Sequence, residues 1–365
     1  MAVESTAGIR AKNVTDMVEF MIRTNKARGK SVKLEDVVSA TFINIISNVL
    51  VSKNVFGDGA EGESDGRVTR FINKLVEGGT TFGVTDVFPV LKWVDFWSKG
   101  LTTFIFREIS FIWGEIVKER RMGYHDDANY DNSTKDFLDV LNEHGLSDDQ
   151  IAILLTELLI GGTTSTTTTT MWLMTELMKY QECLDKLRKE IANKAVDEGG
   201  NTLNESLLSQ CQYLQACIKE TLRLHVPSPL GVPHRAIETC KVNNGYTIPK
   251  DSIVMVNVWA IQMDPNNWED ASSFKPERFL SGMDFKGINF KYIPFGAGQI
   301  MCPGANVAFK GVQLVVPSLV HYFDWSLPNG KDLGVLDTSD RFRTTFLKDK
   351  PLYMIPKPRN NYIVG

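Results

Sequence analysis

From Ser147 to Tyr180 the chain runs without a proline, and no other feature limits its possible folds as tightly. Ser147 is a helix-capping residue, and Asp148 and Asp149 suit the positively polarised first turn that would follow it. Apolar residues fill Ile151 to Ile160 and resume at Met171 to Leu177. At the standard rise, a helix of this extent is roughly 45–50 Å long. Between its apolar halves lies GGTTSTTTTT, Gly161 to Thr170. Threonine forms helix poorly, costing a few tenths of a kcal/mol per residue against alanine. Hydroxyls that bond back to the carbonyl four residues earlier, next to a glycine pair, favour a local bend or opening. Such an opening can hold a water or a small ligand. A polar surface stretch is the alternative, and the apolar flanks count against it by placing the hydroxyls mid-helix in a buried element.

The remainder reads as helix-rich to about residue 226 and mixed thereafter, and residues 1–365 can build one large globular unit or two modest ones. Val14 to Ala27 and Leu34 to Val51 carry apolar residues three and four apart. Ala40 to Val51, the most apolar early stretch, is interrupted by Asn44, Ser47 and Asn48 and reads as a core helix. An acidic, glycine-rich break, Gly57 to Gly66, precedes a helix from about Val68 to Val76. Phe82 to Trp97 is aromatic and proline-interrupted, suited to a loop over a ligand or to core. Thr102 to Met122 reads as helix and His125 to Thr134 as a polar linker. Beyond Pro227, Cys240 to Ile248 and Ser252 to Ile261 alternate as strands around Asn243-Asn244-Gly245 and Pro249-Lys250-Asp251, which is turn chemistry.

A formal net charge of -4, with no basic run among aromatics, gives no support to nucleic-acid binding. Five cysteines, an odd number with no CxxC pair, suit a reducing compartment. The polar start, MAVESTAGIRAKNV, reads as neither a signal peptide nor a membrane anchor.

Four short segments carry chemistry. Cys302 lies in PFGAGQIMCPG, directly before an apolar stretch. A glycine-rich loop at a helix mouth places backbone N–H groups where they favour a thiolate, and lets the backbone pass close to a flat partner. A lone cysteine is more often a small buried hydrophobe. In KETLRL, Glu220 and Arg223 share a helix face, and Arg278 of FKPERF could complete a buried three-membered network. In VPHRA, Arg235 could reach a carboxylate ligand.

In this order, the hydroxyl-bearing helix, ExxR, the basic residue after it, PERF and the cysteine loop resemble the cytochrome P-450 superfamily of haem-thiolate monooxygenases. GYTIPKDSIVMVNVWAIQMDP and FKPERF look like the plant microsomal branch, and the likeness runs from about residue 8 to residue 357. The resemblance implies a mainly α fold with small antiparallel β-sheets and a haem b whose iron is ligated by Cys302. It implies that Phe295, Gly296 and Gly304 shape the loop around that sulfur and that Arg235 binds a propionate. Glu220, Arg223 and Arg278 become a structural triad. A thiolate pushes electron density onto iron and favours cleavage of dioxygen. The resemblance further implies O₂, an NADPH-cytochrome P-450 reductase and the endoplasmic reticulum membrane. Its substrate would be a small lipophilic secondary metabolite, bordered by Ile160, Gly161, Leu230, Val232 and Phe346.

Three departures from the family pattern follow. The acid of the distal helix is replaced by Thr164 and the next alcohol is Ser165, with Thr166 beyond it, so proton delivery would run through hydroxyls and water. The usually basic position two before the cysteine is Ile300. The family's anchor, first helices and strands and tryptophan-bearing helix have no counterpart, so the fold is expected to be N-terminally truncated. Two rival readings arise: a non-catalytic haem-binding remnant, and a haem-thiolate isomerase or dehydratase that needs no reductase.

Overall fold

The computed structural model describes residues 3–28, 31–54, 107, 111, 113–122, 135–197, 203–242, 245–330, 332–342 and 345–359. The expected helix at Val68 to Val76, the Phe82 to Trp97 segment and the whole His125 to Thr134 linker lie outside them.

Helix α1 spans Ala7–Arg28. It buries Val14, Met17, Val18 and Met21, the spacing of a single helical face. A short strand β1, Val32–Lys33, leads into α2, Leu34–Val51. Helix α2 is long and apolar enough to cross a membrane, yet 56% of it is buried among neighbouring helices. It supplies Leu34, Val38, Phe42 and Ile45 to the main core. After a helical stretch at 113–121 come α3, Phe137–Glu143, and α4, Asp148–Lys179.

Helix α4 is the long element expected. The Ser147 side chain accepts from Gln150 N and the Gln150 side chain from Ser147 N, a capping box that fixes its start. The expected local opening is absent, and the helix is continuous over 32 residues. Ser165 Oγ donates to Gly161 O at 2.8 Å, Thr169 to Ser165 O at 2.8 Å and Thr175 to Met171 O at 2.7 Å. These hydroxyls add to the main-chain ladder instead of replacing it. Lateral packing is close here: a Cβ at Gly162 would sit 3.0 Å from Ile46 Cδ1, so glycine lets α2 approach.

Helices α5 (Gln181–Asp197), α6 (Glu205–Ser209) and α7 (Gln212–Leu224) follow. Strands β2 (His234–Arg235) and β5 (Ile253–Val254) pair antiparallel, as do β3 (Cys240–Lys241) and β4 (Thr247–Ile248). The expected strand from Ser252 to Ile261 is corrected here: Val258–Met263 is a helix, α8. Asn257 decides this, its side chain accepting from Ala260 N at 2.9 Å as an N-cap, while Val258 and Gln262 bury one face. Helix α9, Ala305–Tyr322, runs on from the cysteine loop into β6, Phe323–Ser326. Strands β7 (Asp340–Phe342) and β8 (Phe346–Lys348) form a hairpin. The last strand, β9 (Tyr353–Pro358), lies between β1 and β6 and joins the two ends of the described chain. One apolar core runs from Val14 to Met354, with α4, α7 and α9 at its centre.

Candidate haem-thiolate site

Helix α7 is strongly amphipathic and buries Ile218 to Arg223 almost completely. Within it the Arg223 guanidinium meets Glu220 twice, Nε to Oε2 at 2.7 Å and Nη2 to Oε1 at 2.8 Å, with both side chains fully buried. Arg278, in the 3₁₀ turn Pro276–Phe279, donates from Nε to Glu220 Oε1 at 3.3 Å and from Nη2 to Asp270 O at 2.9 Å. Lys275 N adds a third donor to the same carboxylate oxygen at 2.9 Å. Arg223 also donates to Gln262 O at 2.9 Å and Ser273 O at 3.3 Å, and its guanidinium lies 5.2 Å from the Trp268 ring centroid. Two neighbours on α7 and one arginine from 55 residues beyond Arg223 thus form a hydrogen-bonded ion cluster, in which pairing offsets the desolvation of the buried charges.

Two residues overlooked in the sequence tie this cluster to the cysteine loop. Gln262 Nε2 donates to the carbonyls of Leu222 and Arg223, while its Oε1 accepts from Ile293 N at 3.2 Å. Fully buried Tyr292 donates its hydroxyl to Lys219 O at 2.9 Å and packs its ring 4.8 Å from Phe279. Burial holds the Tyr292 phenol far above its ordinary pKa, so it stays a donor. The one available signal was Tyr292 itself, a large aromatic immediately ahead of IPFGAG.

The loop then closes on itself. Cys302 N donates to Phe295 O at 2.9 Å, and Gly296 N to Ile293 O at 3.0 Å. Gly296 and Gly298 both take φ of +77°, a conformation costly for any residue with a Cβ. The Phe295 ring packs edge-on against Phe285, 5.0 Å between centroids, rather than lying free over the loop. Cys302 is exposed and unbridged. No hydrogen bond reaches its sulfur among the described residues. A Cβ at Gly304 would lie 3.9 Å from that Sγ.

Across the core, α4 packs against α9, the helix that the loop opens. Thr164 and Ser165 are half-buried and Thr166 buried. Thr166 Oγ1 bonds back to Gly162 O at 2.5 Å and Thr163 O at 3.0 Å. Among the described residues the hydroxyls of Thr163, Thr167 and Thr170 are buried without a partner. Such groups are expected to bind water or a small polar molecule.

Of the other anticipated residues, Ile160 is half-buried and Gly161 exposed on α4; Leu230 is half-buried and Val232 exposed after α7; Phe346 is half-buried. Arg235 is exposed and occupied, donating from Nε at 3.0 Å and Nη2 at 2.7 Å to Asp251 Oδ1 across the β2–β5 pair. Its expected role toward a propionate would require exchanging that partner. Ile300 is 76% exposed. No group of three or more His, Cys, Asp or Glu able to hold a metal occurs among the described residues. A soft sulfur donor with exposed apolar neighbours such as Ile300 fits a flat apolar macrocycle better than a bare ion.

The cytochrome P450 family model matches residues 5–355. The chain belongs to the cytochrome P450 family. It is 39% identical over 359 residues to (S)-N-methylcoclaurine 3'-hydroxylase isozyme 1 of Eschscholzia californica, covering 98% of this chain and 72% of that relative. It is 40% identical over 365 residues to the probable isozyme 2 of Coptis japonica, covering 99% and 72%. With berbamunine synthase of Berberis stolonifera it shares 37% over 336 residues, 91% of this chain and 66% of that one. The protein is therefore a plant-type cytochrome P450 monooxygenase of secondary metabolism, with haem as cofactor and O₂, a reductase and a small lipophilic substrate as partners.

Proposed function

We propose that Cys302 ligates the haem iron and that the substrate is an alkaloid of the N-methylcoclaurine kind. NADPH-cytochrome P-450 reductase supplies the electrons, at the cytosolic face of the endoplasmic reticulum membrane. The observation that carries the ligand assignment is the loop itself: an exposed thiol whose main chain is fixed at Phe295 and anchored through Gln262 and Tyr292 to a buried ion cluster. When bound, the haem would supply dioxygen activation, with the thiolate as electron donor to its iron.

The chain's own residues have distinct tasks. Glu220, Arg223 and Arg278 hold the loop rigid, so that the sulfur keeps its place as the cofactor enters. Gly296 and Gly304 keep the loop free of side-chain bulk, and Phe295 fills the space beneath it. Arg235 holds a propionate after leaving Asp251. Thr164 offers a hydroxyl where the family pattern has an acid, and Ser165 Oγ donates its proton to Gly161 O. Protons must therefore pass through alcohols and water, with no carboxylate of α4 to store them at this position. Ile160, Gly161, Leu230, Val232 and Phe346 supply apolar contact to the substrate.

The test is the reduced, carbon monoxide-bound absorption spectrum of the haem-loaded chain and of Cys302→Ala. This is followed by turnover of (S)-N-methylcoclaurine with reductase, NADPH and O₂. A thiolate-type Soret band lost in Cys302→Ala, with reductase-dependent hydroxylation, supports the reading. An unchanged spectrum in Cys302→Ala overturns the ligand assignment, and oxygenation of other lipophiles alone overturns the substrate.

A further inference from the structure

Trp172 lies on α4 seven residues beyond Ser165, fully buried, and neither the ion cluster nor the cysteine loop uses it. Its indole Nε1 donates to Phe346 O at 3.2 Å. The N–H of the same residue, Phe346, donates to Pro227 O at 3.1 Å. Both main-chain polar groups of Phe346 are therefore held from outside its own hairpin, one by α4 and one by the segment that leaves α7. That segment continues into Leu230 and Val232.

The Trp172 ring is itself fixed. It stacks on His225 with 3.9 Å between centroids and 5° between planes. His225 Nε2 lies 2.7 Å from Glu176 Oε1, one helical turn beyond Trp172. The Lys348 ammonium stands 4.6 Å from the indole centroid, and Lys348 Nζ also donates to Asp337 O at 2.6 Å. A ring gripped by a histidine and a cation has one available orientation, and in it the N–H points at Phe346 O.

We propose that Trp172 is a positioning residue that locks Phe346 and the Pro227–Val232 segment into a single substrate-facing wall. His225 and Glu176 act as its brace. The proposal rests on the reading that Phe346 and Leu230 border the substrate. Without the indole N–H, Phe346 O loses a partner at a half-buried position and the β7–β8 hairpin is free to shift relative to α4. Any shift moves the Phe346 side chain, and through Pro227 O it moves the second segment too. Selectivity would then depend on a residue that touches no substrate.

The experiment uses the haem-loaded full chain and two readouts. In the first, amide hydrogen exchange is followed for residues 345–348 and for α7. In the unmodified protein the Phe346 amide should exchange about as slowly as the amides of α7; rapid exchange overturns the clamp without any variant. Trp172→Phe keeps a ring to stack on His225 but has no N–H, and should accelerate exchange at 345–348 while leaving α7 unchanged. Equal acceleration in both segments means general loosening and overturns the proposal.

In the second readout, (S)-N-methylcoclaurine affinity is measured in a double-mutant cycle. Trp172→Phe should weaken binding roughly three- to ten-fold, the worth of one buried hydrogen bond. Its further effect should be smaller once Phe346 is already alanine, because only the Pro227–Val232 half of the wall is then left to move. Additive effects overturn the clamp. If Phe346→Ala changes neither affinity nor product ratio while the exchange result holds, the substrate-lining reading falls and the mechanical link survives.

Discussion

Arg223→Met tests the buried ion cluster that supports the cysteine loop. The substitution removes two hydrogen bonds to Glu220 and the bonds to Gln262 O and Ser273 O. Glu220, fully buried, then keeps only Arg278 Nε at 3.3 Å and Lys275 N at 2.9 Å. Removing one member of a buried pair typically costs about 3–5 kcal/mol, because the survivor is left desolvated and undercompensated. Against a total stability on the order of 5–15 kcal/mol, that is a large fraction. Urea unfolding of the apo chain, followed by circular dichroism, measures it directly. Arg235→Met is the control, since that pair with Asp251 is 71% and 53% exposed and exposed pairs contribute little. Haem retention on gel filtration should fall in Arg223→Met as the loop loosens through Gln262. If Arg223→Met destabilises the apo chain no more than Arg235→Met does, the cluster is not what holds the loop and the argument fails.

Three further outcomes are expected. Burial, with a smaller contribution from Arg359, lowers the His321 pKa from 6.5 to about 4. The unfolded chain then binds the extra proton between those values, so this contribution is complete above pH 6.5 and is lost as pH falls toward 4. It is worth about 3 kcal/mol at most, and a urea midpoint for His321→Leu that depends on pH just as the unmodified chain's does would count against it. Iodoacetamide at pH 8 should label exposed Cys240 and Cys302 in the apo chain first. Burial raises the Cys183 thiol, pushes Cys211 up to about 12 and holds Cys217 well above the ordinary range, so mass mapping that finds these three labelled early would refute that ordering. Thr164→Asp should restore a carboxylate to the relay and raise product formed per NADPH consumed severalfold, equivalent to about 1 kcal/mol in partitioning; an unchanged ratio would show that the hydroxyls already suffice.

Much of the scaffold was legible because it rests on local physics. The Ser147 cap with Asp148 and Asp149 behind it, and the apolar spacing of α2, are one-dimensional signals, and they placed those helices almost to the residue. Glu220 and Arg223, three apart on one helix, could hardly avoid each other. The alternation from Ser252 to Ile261 misled, because apolar runs of that length suit a strand or a short helix and a side-chain cap at Asn257 decided between them. The hydroxyl run misled in another way. Its propensity argued for an opening, but α4 stays a continuous helix with its hydroxyls bonded back to the ladder and α2 packed close at Gly162.

By itself the sequence determined which residues are chemically able to act: a thiol in a glycine loop, two arginines and a glutamate, and hydroxyls on a long helix. Only the tertiary structure decided what each of them touches. Gln262 and Tyr292 became anchors of the cysteine loop because folding brings Leu222, Lys219 and Ile293 to them across 31 to 73 positions of chain. Arg235 met Asp251 across a strand pair, and Trp172 met Phe346 across 174 positions. Hydrogen bonds and ring stacks act over a few ångströms, and the separations they span here are set by the packing of distant segments, which no local pattern encodes.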